Sequence, residues 1–475
     1  MKKCLIAAAL TSCALLQGCA LHAHRDSALT QSQLARVHEI ARHAVEEEGI
    51  VGLSIAIAVG GEVVLAEGYG YADLERTRPA TADTIYDIAS TGKQFTAVAI
   101  LRLFDDGALG LDDRIHDIVP ATPTHFPNAT IAELLNHTSG FVSGTLDELD
   151  PPAGLDRPRA GLEVLDDVEL HQDHTEFALS ETFQYCNSGY LLLGVAVEAV
   201  SGKAYPEYVR DRLLAPAGMR SATVYKRPDT PDMADSLHRS DEGVRRVPLI
   251  HMSVYAGQGS ICSSVVDLLR WNSALERGAV MSKSALERFR EPGLVHGCTE
   301  TARMPYGMGQ RLGEFFGHRK IGHTGTYEGG SAVLATYPDA EMTIAVATNT
   351  NGRGVPHART IEGRVAAQLL GIELFSQPVP IRPIPEHVRN RIEGVYIDGN
   401  NRFEARVVDD ALHVILNGNT VEQLRWTGDL NFRDTDNPAV REWFVMDGET
   451  AGWWIYEVDG LCMNVARRKC LQDDR

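Results

Sequence analysis

The sequence predicts a mixed α/β (α+β) chain that ends in a small all-β domain, and three observations carry that reading. A helical apolar stripe near residue 30 runs directly into a strand hairpin. Further helical stripes alternate with a second strand pair before residue 350. Beyond the proline-rich stretch 376–385 the pattern changes to short alternating strands with polar turns.

Taken in order, Leu34, Val37, Ile40, Ala41 and Ala44 recur at helical spacing and stop near Gly49. Leu53 to Val59 and Val63 to Tyr69 are β-rich runs joined at Gly60-Gly61-Glu62, whose glycines supply the positive φ a tight hairpin needs. Phe95, Val98, Ala99, Leu101 and Leu103 form a stripe that ends at Asp105-Asp106-Gly107, which puts Ser90 at or near a helix N-terminus. Helices are also expected over Ile131–Leu135, Tyr190–Val200 and Val265–Leu275, the last behind Ser264 with Asp267 placed for a capping box. Gly330–Tyr337 and Met342–Thr348 read as strands joined through Pro338-Asp339. In the tail, Ala405–Leu416 breaks at Asp409-Asp410 and Trp443–Val458 at Asp447-Gly448.

A chain of 475 residues is too long for one ordinary domain. Pro378, Pro380, Pro383 and Pro385 mark 376–385 as a stiff linker between a large body, 26–375, and a small β-rich domain, 386–475. Met1-Lys2-Lys3 and the apolar run Cys4–Leu16 have the form of an export signal. The signal closes on Leu16-Gln17-Gly18-Cys19, which resembles a bacterial lipobox and gives residues 1–19 as leader with Cys19 to carry lipid. Leu10-Thr11-Ser12-Cys13 is a rival match, and a plain secretory signal cut a few residues later is the alternative. With Ala20 next, the lipobox resemblance implies a periplasm-facing outer-membrane lipoprotein.

Composition excludes some functions. Hydrophobic residues at 44% and charged residues at 23% are globular values, and beyond the leader no run of about 18 apolar residues appears. A net charge of −19 without a basic cluster argues against nucleic acid as a partner. Five cysteines follow Cys19, namely Cys186, Cys262, Cys298, Cys462 and Cys470, with no C-x-x-C pair, so neither a metal nor a redox cofactor is called for. Spacing leaves a Cys462–Cys470 disulfide open.

The chemistry starts at Ser90-Thr91-Gly92-Lys93, an S-x-x-K tetrad whose spacing of three sets both side chains on one helix face. A serine hydroxyl needs a neighbour to take its proton, and burial with the helix dipole disfavours the ammonium and keeps a lysine amine available. Alone the tetrad is weak, since Ser90 could be a cap and Lys93 a solvated side chain. Tyr185-Cys186-Asn187 and His323-Thr324-Gly325 follow it. Each alone has a bland reading as well: a packed tyrosine, a surface histidine, a turn glycine. Three such elements in this order are not expected by chance.

With these motifs the chain resembles the β-lactamase-related serine hydrolases, which include class C β-lactamases, D-alanyl-D-alanine carboxypeptidases, D-aminopeptidases and esterases. Asp87 through Thr96, Leu134-Leu135-Asn136-His137-Thr138-Ser139-Gly140, Tyr306-Gly307-Met308-Gly309 and Pro216-Ala217-Gly218-Met219 are also similar, so the likeness runs from about residue 30 to 375. The resemblance implies an antiparallel sheet flanked by helices, a helical lobe, and the active site between them. It implies acylation at Ser90, proton transfer shared by Lys93 and Tyr185, a substrate amide held by Asn187, and a pocket lined by His323, Thr324 and Gly325. Backbone N–H groups of Ser90 and Thr326 would form the oxyanion hole, where losing one donor generally costs about 10²–10³ in rate. The stretch from Glu393-Gly394-Val395-Tyr396 to Arg468 resembles the small lipocalin-like domains of some members.

Departures from the family bear on substrate. His323 stands where β-lactamases and carboxypeptidases usually carry lysine, and a histidine near its reference pKa of about 6.5 is mostly neutral at pH 7. If His323 sets carboxylate preference, lysine in its place would speed acylation by penicillins. Cys186 stands where serine or alanine is commoner, and Ser180-Glu181-Thr182 replaces Pro-Gly-Thr. A Ser139–His137 triad has no G-x-S-x-G elbow behind it. The reading is an acyl-enzyme hydrolase without cofactor, acting on an amide or ester of a small molecule or peptide, with a D-amino-acid peptide among the candidates. Its alternatives are a carboxylesterase, a weak class-C-like β-lactamase, and a non-catalytic penicillin-type sensor or scaffold.

Overall fold

The computed structural model describes residues 29–124, 126–141, 148–151, 154–167, 178–225, 230, 232–248, 250–297, 300–373, 382–398, 401–416, 418–434, 440–458 and 461–468. The leader with Cys19, most of the proline-rich stretch, and the Cys462 side chain with Cys470 lie outside the described residues.

Helix α1, Gln31–Glu46, starts at Thr30, whose hydroxyl accepts from the Gln33 N–H while the Gln33 side chain reaches back to the cap, so two end donors are satisfied at once. Its buried face is Val37, Ala41 and Ala44. Strands β1, Gly52–Val59, and β2, Glu62–Gly70, form the expected hairpin, with Gly60 and Gly61 at φ 59° and 84° in a two-residue turn. Strands β3, Arg311–Phe315, β4, His318–Tyr327, β5, Gly330–Tyr337, and β6, Met342–Thr348, complete a six-stranded antiparallel sheet in the order β3-β4-β5-β6-β1-β2.

Both faces of this sheet are covered, which is why β1 and β6 read as nearly unbroken apolar runs. On one face Leu53, Ile55, Ile57, Val333, Ile344 and Val346 pack against α1 and α5, Ala358–Leu370. On the other, Ala56, Leu334, Ala345 and Ala347 join the core of α2, Lys93–Asp105, α3, Asn187–Ser201, and α4, Val265–Glu276. Ser264 caps α4 as expected, but Asp267 does not return the bond; its carboxylate accepts from Ser221 N and Ala222 N at 2.7 and 3.0 Å and ties the neighbouring loop down.

The tail is a closed barrel of eight strands in sequence order. They are β7 Gly394–Asp398, β8 Asn401–Val408, β9 Ala411–Leu416, β10 Asn419–Gly428, β11 Asn431–Asp434, β12 Val440–Asp447, β13 Thr450–Val458 and β14 Leu461–Arg468, with β14 pairing back to β7. The tail is not wholly β. A seven-residue helix α6, Glu386–Ile392, buries Val388 and Ile392 in the barrel core beside Tyr396 and Trp454. Two apolar residues one turn apart are too short a pattern to announce a helix in sequence. Ile384, just before α6, is in that core as well.

The barrel packs on the large domain at several points, with Leu461 in the core shared with α1 and the Arg433 guanidinium 4.9 Å from the Phe316 ring centroid, and one of these contacts lies behind the site. Trp453, on the outer face of β13, is fully buried with Phe183 and Tyr306, and its Nε1 donates to Glu181 O at 3.4 Å. Asp447 accepts from the Glu300 N–H at 2.8 Å. The segment leading to Tyr185 is thus braced from behind by the barrel.

Candidate active site

Ser90 sits in a one-turn 3₁₀ segment, Ala89–Gly92, that feeds α2. The chain enters from a short strand, Tyr86–Asp87, paired to Ile261–Ser263, and turns sharply at Ala89, whose φ is 44°. A left-handed alanine costs roughly 1–2 kcal/mol, and the bond from Ala89 N–H to Asp87 Oδ1 at 2.8 Å helps hold it. Strand β4 runs against this turn. A Cβ at Gly325 would lie 2.0 Å from Ile88 O and 3.0 Å from Ser90 N, so only glycine lets β4 approach the Ser90 backbone.

Lys93 is fully buried, and its Nζ reaches three acceptors: Asn187 Oδ1 at 2.7 Å, Gln258 O at 2.9 Å and Ser90 Oγ at 3.2 Å. Burial first, and Arg311 in addition, push its pKa below the usual lysine range, against the opposing pull of Tyr185. A neutral amine donates twice and accepts once. Two partners, Asn187 Oδ1 and Gln258 O, can only accept, so the lone pair is left for the Ser90 hydroxyl. Tyr185 lies beside it, its ring centroid 4.8 Å from Nζ, and its own hydroxyl is buried without a partner at hydrogen-bonding geometry among the described residues. The Arg311 guanidinium also stands over the Tyr185 ring, 5.0 Å from its centroid.

Beneath Tyr185 runs a chain of buried bonds. Cys186 N–H donates to His137 Nδ1 at 3.1 Å, His137 Nε2 meets Tyr306 Oη at 3.2 Å, Tyr306 Oη meets His323 Nε2 at 3.0 Å, and His323 Nδ1 meets Thr324 O at 2.7 Å. The fixed donors and acceptors at the two ends dictate the protons between. His137 carries its proton on Nε2, Tyr306 donates to His323 Nε2, and His323 carries its proton on Nδ1. Both imidazoles are neutral, and burial holds both pKa values well below the usual range. His137 has no ring nitrogen to spare for Ser139, which leaves the triad without a base.

The cleft in front is a cavity of ≈ 200 Å³ lined by Ser90, Asn187 and Thr326 together with Asp87, Glu148, Asp235, Tyr255, Gln258 and Tyr327. Ser90, Lys93, Tyr185 and Asn187 are therefore brought together, and Thr326 faces the same space. His323 is not on the cavity wall; it is fully buried, its ring centroid 6.1 Å from that of Tyr185. Thr324 is also buried, and Gly325 acts through the approach of its backbone. Sequence reasoning missed Gln258, which contributes only a carbonyl, and Arg311, Glu148 and Tyr306 as site members; none sits in a motif that names its role. Among the described residues no group of three or more His, Cys, Asp or Glu is placed to share a metal ion.

The chain is 27% identical over 312 residues to "Penicillin-binding protein 4*" of Bacillus subtilis (strain 168), covering 62% of this chain and 67% of that one. It is 27% identical over 336 residues to "Protein flp" of Staphylococcus aureus (strain MW2), covering 69% and 65%. The chain thus spans about two thirds of the length of these relatives. Among solved structures, the octameric penicillin-binding protein homologue from Pyrococcus abyssi superposes with a TM-score of 0.64 at 24% identity, over 91% of this chain and all (100%) of that one. The D-amino acid amidase from Ochrobactrum anthropi SV3 complexed with D-phenylalanine superposes with a TM-score of 0.62 at 22% identity, over 72% and 99%. The Beta-lactamase family model matches residues 37–368, most of the chain, and this protein belongs to that family of serine hydrolases.

Proposed function

We propose that this protein is an amidase that forms an acyl-enzyme on Ser90 and prefers substrates with an unblocked amino group close to the scissile bond, such as D-amino-acid amides and short D-peptides. The observation that carries the chemistry is the buried Lys93, 3.2 Å from Ser90 Oγ with its other donors spent on Asn187 and Gln258. Ser90 Oγ attacks the carbonyl as its proton passes to Lys93, and the oxyanion is met by the N–H groups of Ser90 and Thr326. The proton then leaves on the departing amine by way of Tyr185. Water then attacks the acyl-enzyme with Lys93 Nζ taking its proton, and that proton returns to Ser90 Oγ as the ester bond breaks.

The preference for an amino group rests on charge in the cavity. Asp87, Glu148 and Asp235 line it, and Glu148 is fixed by Tyr255 Oη at 2.9 Å and Glu328 N at 2.8 Å. Arg246, the cation on that wall, is engaged by Glu75 at 2.5 Å and Asp235 at 2.8 Å. With His323 neutral and buried, such a cavity suits an ammonium rather than the carboxylate of a penicillin. The D preference is taken from the amidase likeness.

The test is hydrolysis of D-alanine and L-alanine p-nitroanilides, their N-acetyl forms and benzylpenicillin. The unblocked D-substrate should be fastest, and acetylation should cost at least about tenfold, the worth of one charge-assisted bond. Equal rates on acetylated substrate overturn the amine preference, while activity surviving Ser90→Ala overturns the nucleophile. Export with lipid on Cys19 is also proposed, on the leader alone. Cys19→Ser should shift the protein from membrane to soluble fraction in a bacterial host, and unchanged partition overturns the anchor.

A further inference from the structure

The barrel holds a second cavity, of ≈ 290 Å³, lined by Phe403, Val414, Val421, Glu422, Glu442, Trp454, Tyr456 and Ala466. Helix α6 and Tyr396 fill the core at one part of the lumen, with Tyr396 Oη donating to Ile392 O at 2.7 Å. Val421, 51% exposed, marks the cavity's opening to solvent. Its walls are mostly apolar, yet Glu442 is only 2% exposed. Among the described residues Glu442 Oε2 and Trp454 Nε1 meet no partner at hydrogen-bonding geometry. An unpartnered carboxyl oxygen in an apolar site costs on the order of 1–3 kcal/mol. The two groups are neighbours in this space, with the Glu422 carboxyl alongside, yet neither completes a hydrogen bond to the other. Burial first, and the adjacent Glu422 carboxyl in addition, hold Glu442 well above the ordinary carboxylate range, which favours its protonated form.

We infer that this lumen is a binding site for a small hydrophobic ammonium, whose apolar body lies against Phe403, Val414, Trp454 and Ala466 while its head is taken by the Glu442 and Glu422 carboxyls. The dimensions suit an aralkyl or short alkyl amine, close to the lower bound of about 300 Å³ for small-molecule pockets. The chemistry balances simply: the neutral Glu442 carboxyl gives its proton to water as the ammonium arrives, and a carboxylate–ammonium pair replaces it. This site is apart from the catalytic cleft, and the inference does not depend on the proposed reaction.

The experiment is calorimetric titration of the full-length protein with phenethylammonium chloride in two buffers of different ionisation enthalpy. One site in the wild type is expected to bind with proton release and to weaken at least about tenfold in Glu442→Gln. Thermal unfolding of the variant checks that its fold is kept. Glu148→Gln, in the cleft, should leave this binding in place. Equal binding by wild type and Glu442→Gln overturns the assignment, as does binding that is lost with Glu148 instead. Binding without proton release overturns the account of the carboxyl pair.

Discussion

Tyr306 donates its hydroxyl to His323 Nε2 across 3.0 Å, and through that bond the third motif is tied to His137 and the floor beneath Tyr185. Tyr306→Phe removes one oxygen and strands a ring nitrogen on each side. Each stranded buried group costs about 1–3 kcal/mol, so the urea midpoint should fall clearly, and an unchanged midpoint would show that the chain of bonds is not formed. The same geometry revises the expectation for His323→Lys. A lysine there would bury a cation in a site where burial and the Arg311 guanidinium already disfavour a charged His323, so loss of stability is expected in place of faster penicillin acylation.

The neutral histidines make stability depend on pH with a definite sign. In the unfolded chain each titrates near 6.5, whereas the folded values lie well below that. Below pH about 6.5 the unfolded state therefore binds protons the native state refuses. Their contribution is complete above that pH and is lost as pH falls, by up to about 1.4 kcal/mol per pH unit for each histidine. Urea unfolding between pH 7.5 and 5 should show this decline, and a flat profile would contradict neutral burial.

The proposed role of Lys93 as base makes the rate depend on pH in the same direction. With its pKa lowered chiefly by burial, kcat/KM should rise with pH through a single ionisation below that of a free lysine. Lys93→Arg keeps the charge and cannot release it, so hydrolysis should drop to background while the protein still folds. Residual turnover with an unshifted acid limb would assign the base to another group.

Much of this site is legible in sequence because it is local. Ser90 and Lys93 are three residues apart, and Tyr185 and Asn187 two apart, so spacing alone brings each pair to one face. The role of Gly325 is not legible, because the Ile88 carbonyl it must clear arrives from a segment more than two hundred residues away. Gln258 acts through a carbonyl that every residue owns. Arg311 lies on a strand whose approach to Tyr185 is set by the sheet order. Strand pairs such as Gly330–Tyr337 with Met342–Thr348 are plain in sequence because two covered faces demand continuous apolar runs. Helix α6 is hidden because its partner is the barrel lumen, not a repeating stripe.

Gly325→Ala tests the close approach directly. A methyl group 2.0 Å from Ile88 O cannot be accommodated without moving β4 away from the Ser90 turn, which would withdraw the Thr326 N–H from the proposed oxyanion position. Losing one such donor costs about 10²–10³ in kcat. The expectation is a fall of that size with little change in KM, and an activity within a few-fold of wild type would mean that β4 does not set the oxyanion site.

Trp453 tests whether the barrel matters to the cleft. Its indole is fully buried against Phe183 and Tyr306, and Trp453→Ala empties a space for which the usual cost is about 3–5 kcal/mol. If the brace only adds stability, the variant should lose melting temperature and keep kcat. The contacts favour a larger effect, because Phe183 lies two residues before Tyr185 and Tyr306 holds His323. The expected result is a fall in kcat measured well below the melting transition, largely restored in Trp453→Phe, which refills the space but lacks the bond to Glu181. Unchanged kcat in the folded alanine variant would reduce the barrel's role at this interface to stability alone.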